Sequence, residues 1–324
     1  MEKKLSLFVI PLLASPLLGQ FTSIDMHKFR IGTGLISLVS SVGFLILAAF
    51  RYYIGNDKDA FNFESFIPYN YVYYSFYFSF TVLCLSYELW ETKLSLFWKF
   101  IALFLLPAYG LAILTIVSSK MGILSFLIGY SVFIIFKIRN YKLIAVCFFS
   151  ISLIAILFIS SNVTTLDRFI DLKEKTEIIE KDKFSYNEPF TGLTLRLTFW
   201  KIAINHMIKD KNYLFGMGTG DAQDYLNEIY KIHNLDAGGY KDFNPHNQWI
   251  QTFMQLGLGG VFILSLVFIL SMINSLKYKN FALTLFLATT FCFTLSESIF
   301  EVNKGIVFFS LFFTVLVSQR GQTN

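Results

Sequence analysis

Long apolar runs separated by short polar breaks dominate the chain, and one polar stretch, residues 161–248, interrupts them. A helix needs about 20 mostly apolar residues to cross the hydrocarbon of a bilayer. Runs of that kind occupy 5–22, 31–50, 70–88, 98–117, 121–137, 142–160, 249–274, 280–298 and 304–319. They are continuous rather than alternating, which excludes a β-barrel. The pattern predicts an all-α integral membrane protein, a polytopic bundle of about nine to ten transmembrane helices with one large extracytoplasmic loop. It divides the chain into an N-terminal transmembrane bundle at 1–160, the loop with an amphipathic helix at 161–248, and C-terminal transmembrane helices at 249–324. No small-residue cleavage site follows the first run, so that run reads as a span and not as a removed signal peptide.

Composition sharpens the picture. Hydrophobic residues make up 55% and charged residues 15%, with 38 phenylalanines and a mean hydropathy of +0.56. Charged residues are about 25% of a typical soluble domain, so the polar complement is too small to cover a soluble protein of this size. Membrane lipids are therefore its solvent. The net charge of +5 reads as topology and not as a nucleic-acid footprint. Lys137, Arg139 and Lys142 crowd one short turn, Lys277 and Lys279 another, and Arg320 follows the last run. With alternating spans these fall on one side together with Lys28, Arg30, Lys93 and Lys99, and the positive-inside bias makes that side cytoplasmic. The loop at 161–248, with thirteen acidic and eleven basic residues, falls outside.

Nine spans also leave Lys3 and Lys4 outside, against the bias. Either the first run, broken by Pro11 and Pro16, is re-entrant, or the amino-terminal spans differ in number. Tyr52, Tyr53, Tyr69, Tyr71, Tyr73 and Tyr74 cluster where spans meet the outer face, as an aromatic belt would. Cys84, Cys147 and Cys292 each lie inside an apolar run, far from any metal spacing, and read as buried small hydrophobes. No metal site and no cofactor is expected.

Chemistry is expected in the loop. Residues 161–190, with mixed charge from Asp167-Arg168 through Lys183, read as a solvated strap or helix. Leu193, Leu197, Trp200, Ile204 and Met207 then recur at helical spacing, with Thr191 as a cap and Asn212 followed by Gly216, Gly218 and Gly220 as the stop. This helix is expected on the membrane surface or against the outer span ends. The Gly216–Gly220 stretch resembles a nucleotide loop only superficially. No strand precedes it and no Lys-Ser/Thr follows, so a turn requiring positive φ explains it better. Asn244-Pro245-His246-Asn247 stands immediately before the next span. His246 there is a base at the membrane–water boundary, or an interfacial histidine that only hydrogen-bonds. His27, His206 and His233 are weaker candidates. Lys120, in Ser118-Ser119-Lys120-Met121-Gly122, is either a snorkelling cation or an anion site. Glu297, Glu301 and Lys304 form a charged cluster at the outer end of the last two runs, open to a capping or a functional role.

Three of these segments together resemble the core of the O-antigen ligase and polymerase superfamily. They are Leu195-Arg196-Leu197-Thr198-Phe199-Trp200, then Phe215 through Gly220, then His246-Asn247 followed by nine residues and Gly257-Leu258-Gly259-Gly260. Ser118-Ser119-Lys120-Met121-Gly122 is similar to that superfamily's Ser-Arg-Gly segment, with lysine where arginine is expected. The lysine keeps the charge without the two-point fork. The resemblance covers roughly residues 100–318.

It implies a GT-C-like membrane glycosyltransferase of the bacterial inner membrane, with its site facing the periplasm. Such an enzyme moves glycan from an undecaprenyl-diphosphate-linked donor to an acceptor hydroxyl on a glycan or a lipid A-core. It implies His246 and Arg196 as catalytic, Arg196 and Lys120 as diphosphate-binding, Asn247 and Trp200 as supporting, and a metal-independent, inverting transfer. Ligase and polymerase share this site, and a protein O-oligosaccharyltransferase is a related branch. A lipid-linked oligosaccharide transporter or flippase would instead carry interrupted spans and mid-membrane charge, which the runs largely lack.

Overall fold

Each of the nine apolar runs is helical over most of its described residues. The computed structural model describes residues 2–18, 22–57, 60–61, 71–92, 95–161 and 176–318, and no strand occurs among them. Tyr69, Lys93, Asp167, Arg168 and Arg320 lie outside the described residues. The helices are α1 (Glu2–Leu18), α2 (Ser23–Tyr53), α3 (Tyr71–Glu91), α4 (Leu96–Phe100), α5 (Leu106–Ile116), α6 (Lys120–Lys137), α7 (Tyr141–Ser161), α8 (Gly192–Lys209), α9 (Ala222–Ile232), α10 (Gln248–Lys277), α11 (Phe281–Thr294) and α12 (Asn303–Val317). Among the described residues, four helical stretches are long and apolar enough to cross a membrane: within α2, Leu96–Ile116, α6 and α10. Shorter apolar helices lie at Lys4–Pro16, Tyr141–Ser150, Phe281–Thr294 and Asn303–Val317. The protein is an all-α, polytopic membrane protein.

The chain forms two compact units. One comprises Leu7–Leu166, Met272–Phe293 and Val307–Asn324. Its centre is α3, where Phe76, Phe78, Phe80, Val82, Leu83, Cys84 and Leu85 are all buried. A helix buried on every side belongs inside a bundle. Its serines and threonines are satisfied within the helix, Ser79 donating to the Ser75 carbonyl at 2.6 Å and Ser86 to that of Val82 at 3.1 Å. Phe76 packs on Phe293 and Phe308, and Phe80 on Phe286 and Phe312. Of the tyrosines expected in a belt, Tyr52 and Tyr53 are exposed but Tyr73 is buried in this core. Apolar side chains stand exposed along α2, including Ile36, Val39 and Ile46; lipid, not water, suits such a face.

Between α4 and α5 the backbone passes through a π-helical turn, Ile101–Leu105. Pro107 has no N–H for the Leu103 carbonyl four residues before it and would clash with that carbonyl in a regular helix. The turn widens to avoid the clash, and the Tyr130 hydroxyl donates to the Leu103 carbonyl at 2.7 Å. Glu88, at the end of α3, is buried and ion-paired with Arg30 and His27, the usual condition for a carboxylate out of water.

The other unit comprises Met1–Ser6, Asp167–Ser271 and Thr294–Ile306. Thr191 caps α8 as expected, accepting from the Thr194 N–H at 3.1 Å while Thr194 Oγ1 accepts from the Thr191 N–H at 2.8 Å. The buried face of α8 differs from the expected one. Thr194, Thr198, Phe199, Ile202, Ala203 and Met207 face inward, because apolar residues line two sides of this helix and α9 selects one of them. From α9 come Ala222, Leu226, Ile229 and Tyr230, and Ile178, Phe184, Leu235 and Met254 complete the core. This core is built from protein, and α8 turns its most buried face to it.

Helix α10 is broken at Gly257, which has φ 62° and ψ −159°, a region open essentially to glycine alone. The break redirects backbone hydrogen bonds. The Leu258 N–H, which an unbroken helix would aim at Met254, donates to the Tyr213 carbonyl at 2.8 Å. The Met254 and Gln255 carbonyls accept instead from the Met217 and Gly218 N–H groups, at 2.8 and 2.9 Å. Gly216 (φ 74°) and Gly218 (φ 88°) supply the positive φ values the sequence suggested. A Cβ on Gly216 would strike the Gln255 backbone, and one on Gly257 would strike that of Leu214. The glycine stretch is thus a backbone clamp on a broken helix.

Two outcomes follow. Gly257→Ala is expected to lower stability by at least about 2 kcal/mol, from the strained φ/ψ region and the clash together, read as a fall in thermal midpoint in detergent. The second concerns His206 and His233, whose Nε2 atoms lie 3.1 Å apart. Burial, and then the neighbouring His233, hold the His206 imidazole below its ordinary range, with Asp210 opposing and Lys209 adding to the shift. Unfolding returns it to about 6.5, so as pH falls through that value the unfolded chain takes up the proton first and stability declines. The thermal midpoint should drop between about pH 7 and pH 5.5, and His206→Gln should flatten that slope.

Candidate functional site

Four residues before α10 set the site's geometry. Asn244 Oδ1 accepts from the His246 N–H at 2.8 Å, closing a short side-chain turn that lets His246 adopt φ 48°. A non-glycine residue at positive φ costs roughly 1–2 kcal/mol, and such strain concentrates where function requires it. The Trp200 indole of α8 donates to the Pro245 carbonyl at 2.7 Å and pins the turn. His246 therefore precedes the helix, which begins at Gln248. The cap is Asn247, whose Oδ1 accepts from the Trp249 and Ile250 N–H groups at 2.8 and 3.1 Å.

The expected last residues of the run 280–298 are not helical. α11 ends at Thr294, and the turn that follows is held by the start of α10. Asn247 Nδ2 donates to the Leu295 carbonyl at 3.0 Å, and its backbone N–H to Ser298 Oγ at 3.2 Å. Gln248 Oε1 accepts from the Phe300 N–H at 2.8 Å, and the Trp249 indole donates to Thr294 Oγ1 at 3.0 Å. Three consecutive side chains thus fix one turn, and that turn carries Glu297.

Glu297 is 5% exposed. Its Oε1 accepts from Arg196 Nη2 at 2.6 Å, and its Oε2 lies 3.3 Å from His246 Nδ1. A carboxylate accepts, so in a neutral imidazole this contact favours a proton on Nδ1 and a lone pair on Nε2. The Arg196 and His246 side chains remain 26% and 28% exposed, while the acid between them is sealed. Near it, Lys4 pairs with Glu301 at 2.6 Å and donates to Gln255 Oε1. Gln251, one turn before Gln255, keeps a buried Oε1 without a hydrogen-bond partner among the described residues.

Arg196, Trp200, His246 and Asn247 are therefore brought together in one unit. Lys120 belongs to the other unit, as the first residue of α6, behind the cap that Ser119 Oγ makes to the Gly122 N–H at 3.1 Å. Glu297 was legible in the sequence only as one charge of a cluster; the signal for its role was an acid inside an otherwise apolar tract. Among the described residues no group of three or more His, Cys, Asp or Glu side chains could hold a metal ion.

A family model described as O-antigen ligase matches residues 102–265, just over half of the chain. The chain belongs to the O-antigen ligase family. Membership supports a glycosyltransferase-type function in surface polysaccharide assembly, and with it a membrane setting. The matched range contains Lys120, Arg196, Trp200, His246, Asn247 and the helix break at Gly257, whereas Glu297 lies beyond it. No curated protein matches the chain.

Asn247→Ala should cost about 1 kcal/mol for the lost cap and more for the released Leu295 carbonyl. It should also loosen the turn that carries Glu297. A lowered thermal midpoint, together with reduced transfer by the folded fraction, would be the joint readout.

Proposed function

We propose that the protein is a membrane glycosyltransferase that moves or polymerises glycan from an undecaprenyl-diphosphate carrier onto an acceptor hydroxyl, with His246 as the base. The observation that carries this reading is the Arg196–Glu297–His246 array. Its imidazole nitrogen is oriented by a buried carboxylate and its guanidinium is partly open to a ligand. The acceptor oxygen attacks the anomeric carbon, the bond from that carbon to the diphosphate oxygen breaks, and the diphosphate leaves with the electron pair. His246 Nε2 takes the acceptor proton. Arg196 offers charge to the departing diphosphate, where pre-set electrostatics have most effect. One displacement inverts the anomeric centre and requires no covalent enzyme intermediate and no metal.

Glu297 is the positioning residue, fixing the tautomer and holding the guanidinium. Lys120 is a second diphosphate-binding cation in this proposal, on its likeness to the family's Ser-Arg-Gly segment. The donor side is taken to be periplasmic in an inner membrane, and the acceptor a glycan or lipid A-core sugar. Transfer to protein is the related alternative. A transporter of the lipid-linked glycan is disfavoured by polarity concentrated in one loop and its adjoining turn.

In a deletion host, wild type should restore the surface glycan. His246→Ala at equal abundance should lower transfer by about 10²–10⁴-fold, the usual contribution of a general base, while lipid-linked glycan still reaches the outer face. Arg196→Lys should also lose activity, since the two-point fork is lost. Long chains accumulating on the carrier would identify a ligase, and a single repeat on the anchor a polymerase. A normal glycan pattern with His246→Ala would remove the base assignment, and glycan stranded inside in the deletion would favour transport.

A further inference from the structure

Backbone bonds around the helix break expose something that the reaction does not use. The Gly216 N–H donates to the Asn212 carbonyl at 2.9 Å, closing a turn whose tip is Tyr213-Leu214-Phe215. Turn tips are ordinarily polar, and three consecutive exposed apolar residues are a defect unless they serve a purpose. Here all three are exposed, Phe215 at 86%. The tip is not loose. It is fastened to α10 by the Leu258–Tyr213 bond on one side and by the Met217–Met254 and Gly218–Gln255 bonds on the other. Close approach of Gly216 and Gly257 to the opposing backbones fixes its direction.

Two features identify what covers this tip. Its apolar surface is continuous with the outer face of α10, where Leu256 and Leu258 at the break, and then Phe262 and Ile263, are exposed on a helix long and apolar enough to span. The chain entering the tip carries exposed Lys209 and Lys211. Aromatic and aliphatic residues beside lysines are the composition of a segment lying at the boundary of headgroups and acyl chains, where anionic headgroups add attraction for each nearby cation.

We infer that the Tyr213–Phe215 tip inserts into the lipid bilayer, with Leu214 and Phe215 among acyl chains and Lys209 and Lys211 at the headgroups. The tip thereby sets the depth of the α10 break. This anchor is separate from α8, whose most buried face is turned to protein, and it does not depend on the proposed reaction.

The test uses the full chain in nanodiscs containing phosphatidylethanolamine and phosphatidylglycerol. A nitroxide is attached at Phe215→Cys, at Leu214→Cys as a second site on the tip, and at Tyr186→Cys as an exposed reference in the same unit. The three native cysteines are buried, and wild type gives the labelling blank. Power saturation should show both tip sites favouring collision with oxygen over a water-soluble nickel chelate, and Tyr186→Cys the reverse. Chelate accessibility at the tip equal to that at Tyr186→Cys would place it in water and overturn the inference. Protection from both reagents would overturn it too, by placing the tip against protein, such as a second copy of the chain.

Discussion

A carboxylate removed from water must be answered by charge and hydrogen bonds, and Glu297 is the point at which this unit meets that demand. Arg196 reaches it from α8 and His246 from the turn before α10, while Glu297 itself stands where α11 has already ended. The buried acid holds the guanidinium and the imidazole at a common centre. Breaking such a pair by removing one partner generally costs more than the pair contributes, although the partial exposure of Arg196 and His246 softens that penalty here. The same partial exposure is what makes the array chemically useful, since both groups keep a side open to a ligand.

The acid can stand there because the backbone around it is unusually well supplied with partners. A turn between two apolar helices leaves N–H and C=O groups unpaired, which is tolerable at membrane depth only when protein satisfies them. Asn247, Gln248 and Trp249 do this for residues 294–300. Farther along the same helix, the 213–218 segment does it for the break at Gly257. The amino-terminal part of α10, from its cap to the break, is therefore held at both ends by non-helical chain. It acts as a short rigid rod, with His246 at one end and the apolar turn at the other.

Much of this was legible before any coordinates. Length and hydropathy located the nine helical runs, because a strongly apolar run has few other structures open to it. Thr191 as a cap, and Gly216 and Gly218 at positive φ, followed from local chemistry that needs no tertiary information. What escaped was decided by partners distant in sequence. The buried face of α8 could not be read because apolar residues line two sides, and only α9 selects between them. The end of α11 at Thr294 was hidden because Leu295 and Ile299 continue the apolar run, and the polar residues that stop the helix sit some fifty positions earlier. Glu297 stayed open between a capping and a functional role for the same reason. Its meaning lies in Arg196 and His246, which no local window contains.

One charge that stood against the positive-inside bias is held within the same unit. Lys4 counted against the positive-inside bias because nine spans put it on the side of the large loop. Glu301 and Gln255 hold it. Residues Met1–Ser6 fall in the compact unit that contains the loop residues from Asp167 onward. Helix α1 runs without reversal through Pro11 and Pro16, so a re-entrant first segment is unnecessary. The lysine is better understood as a counter-charge to an acidic turn than as a topological signal.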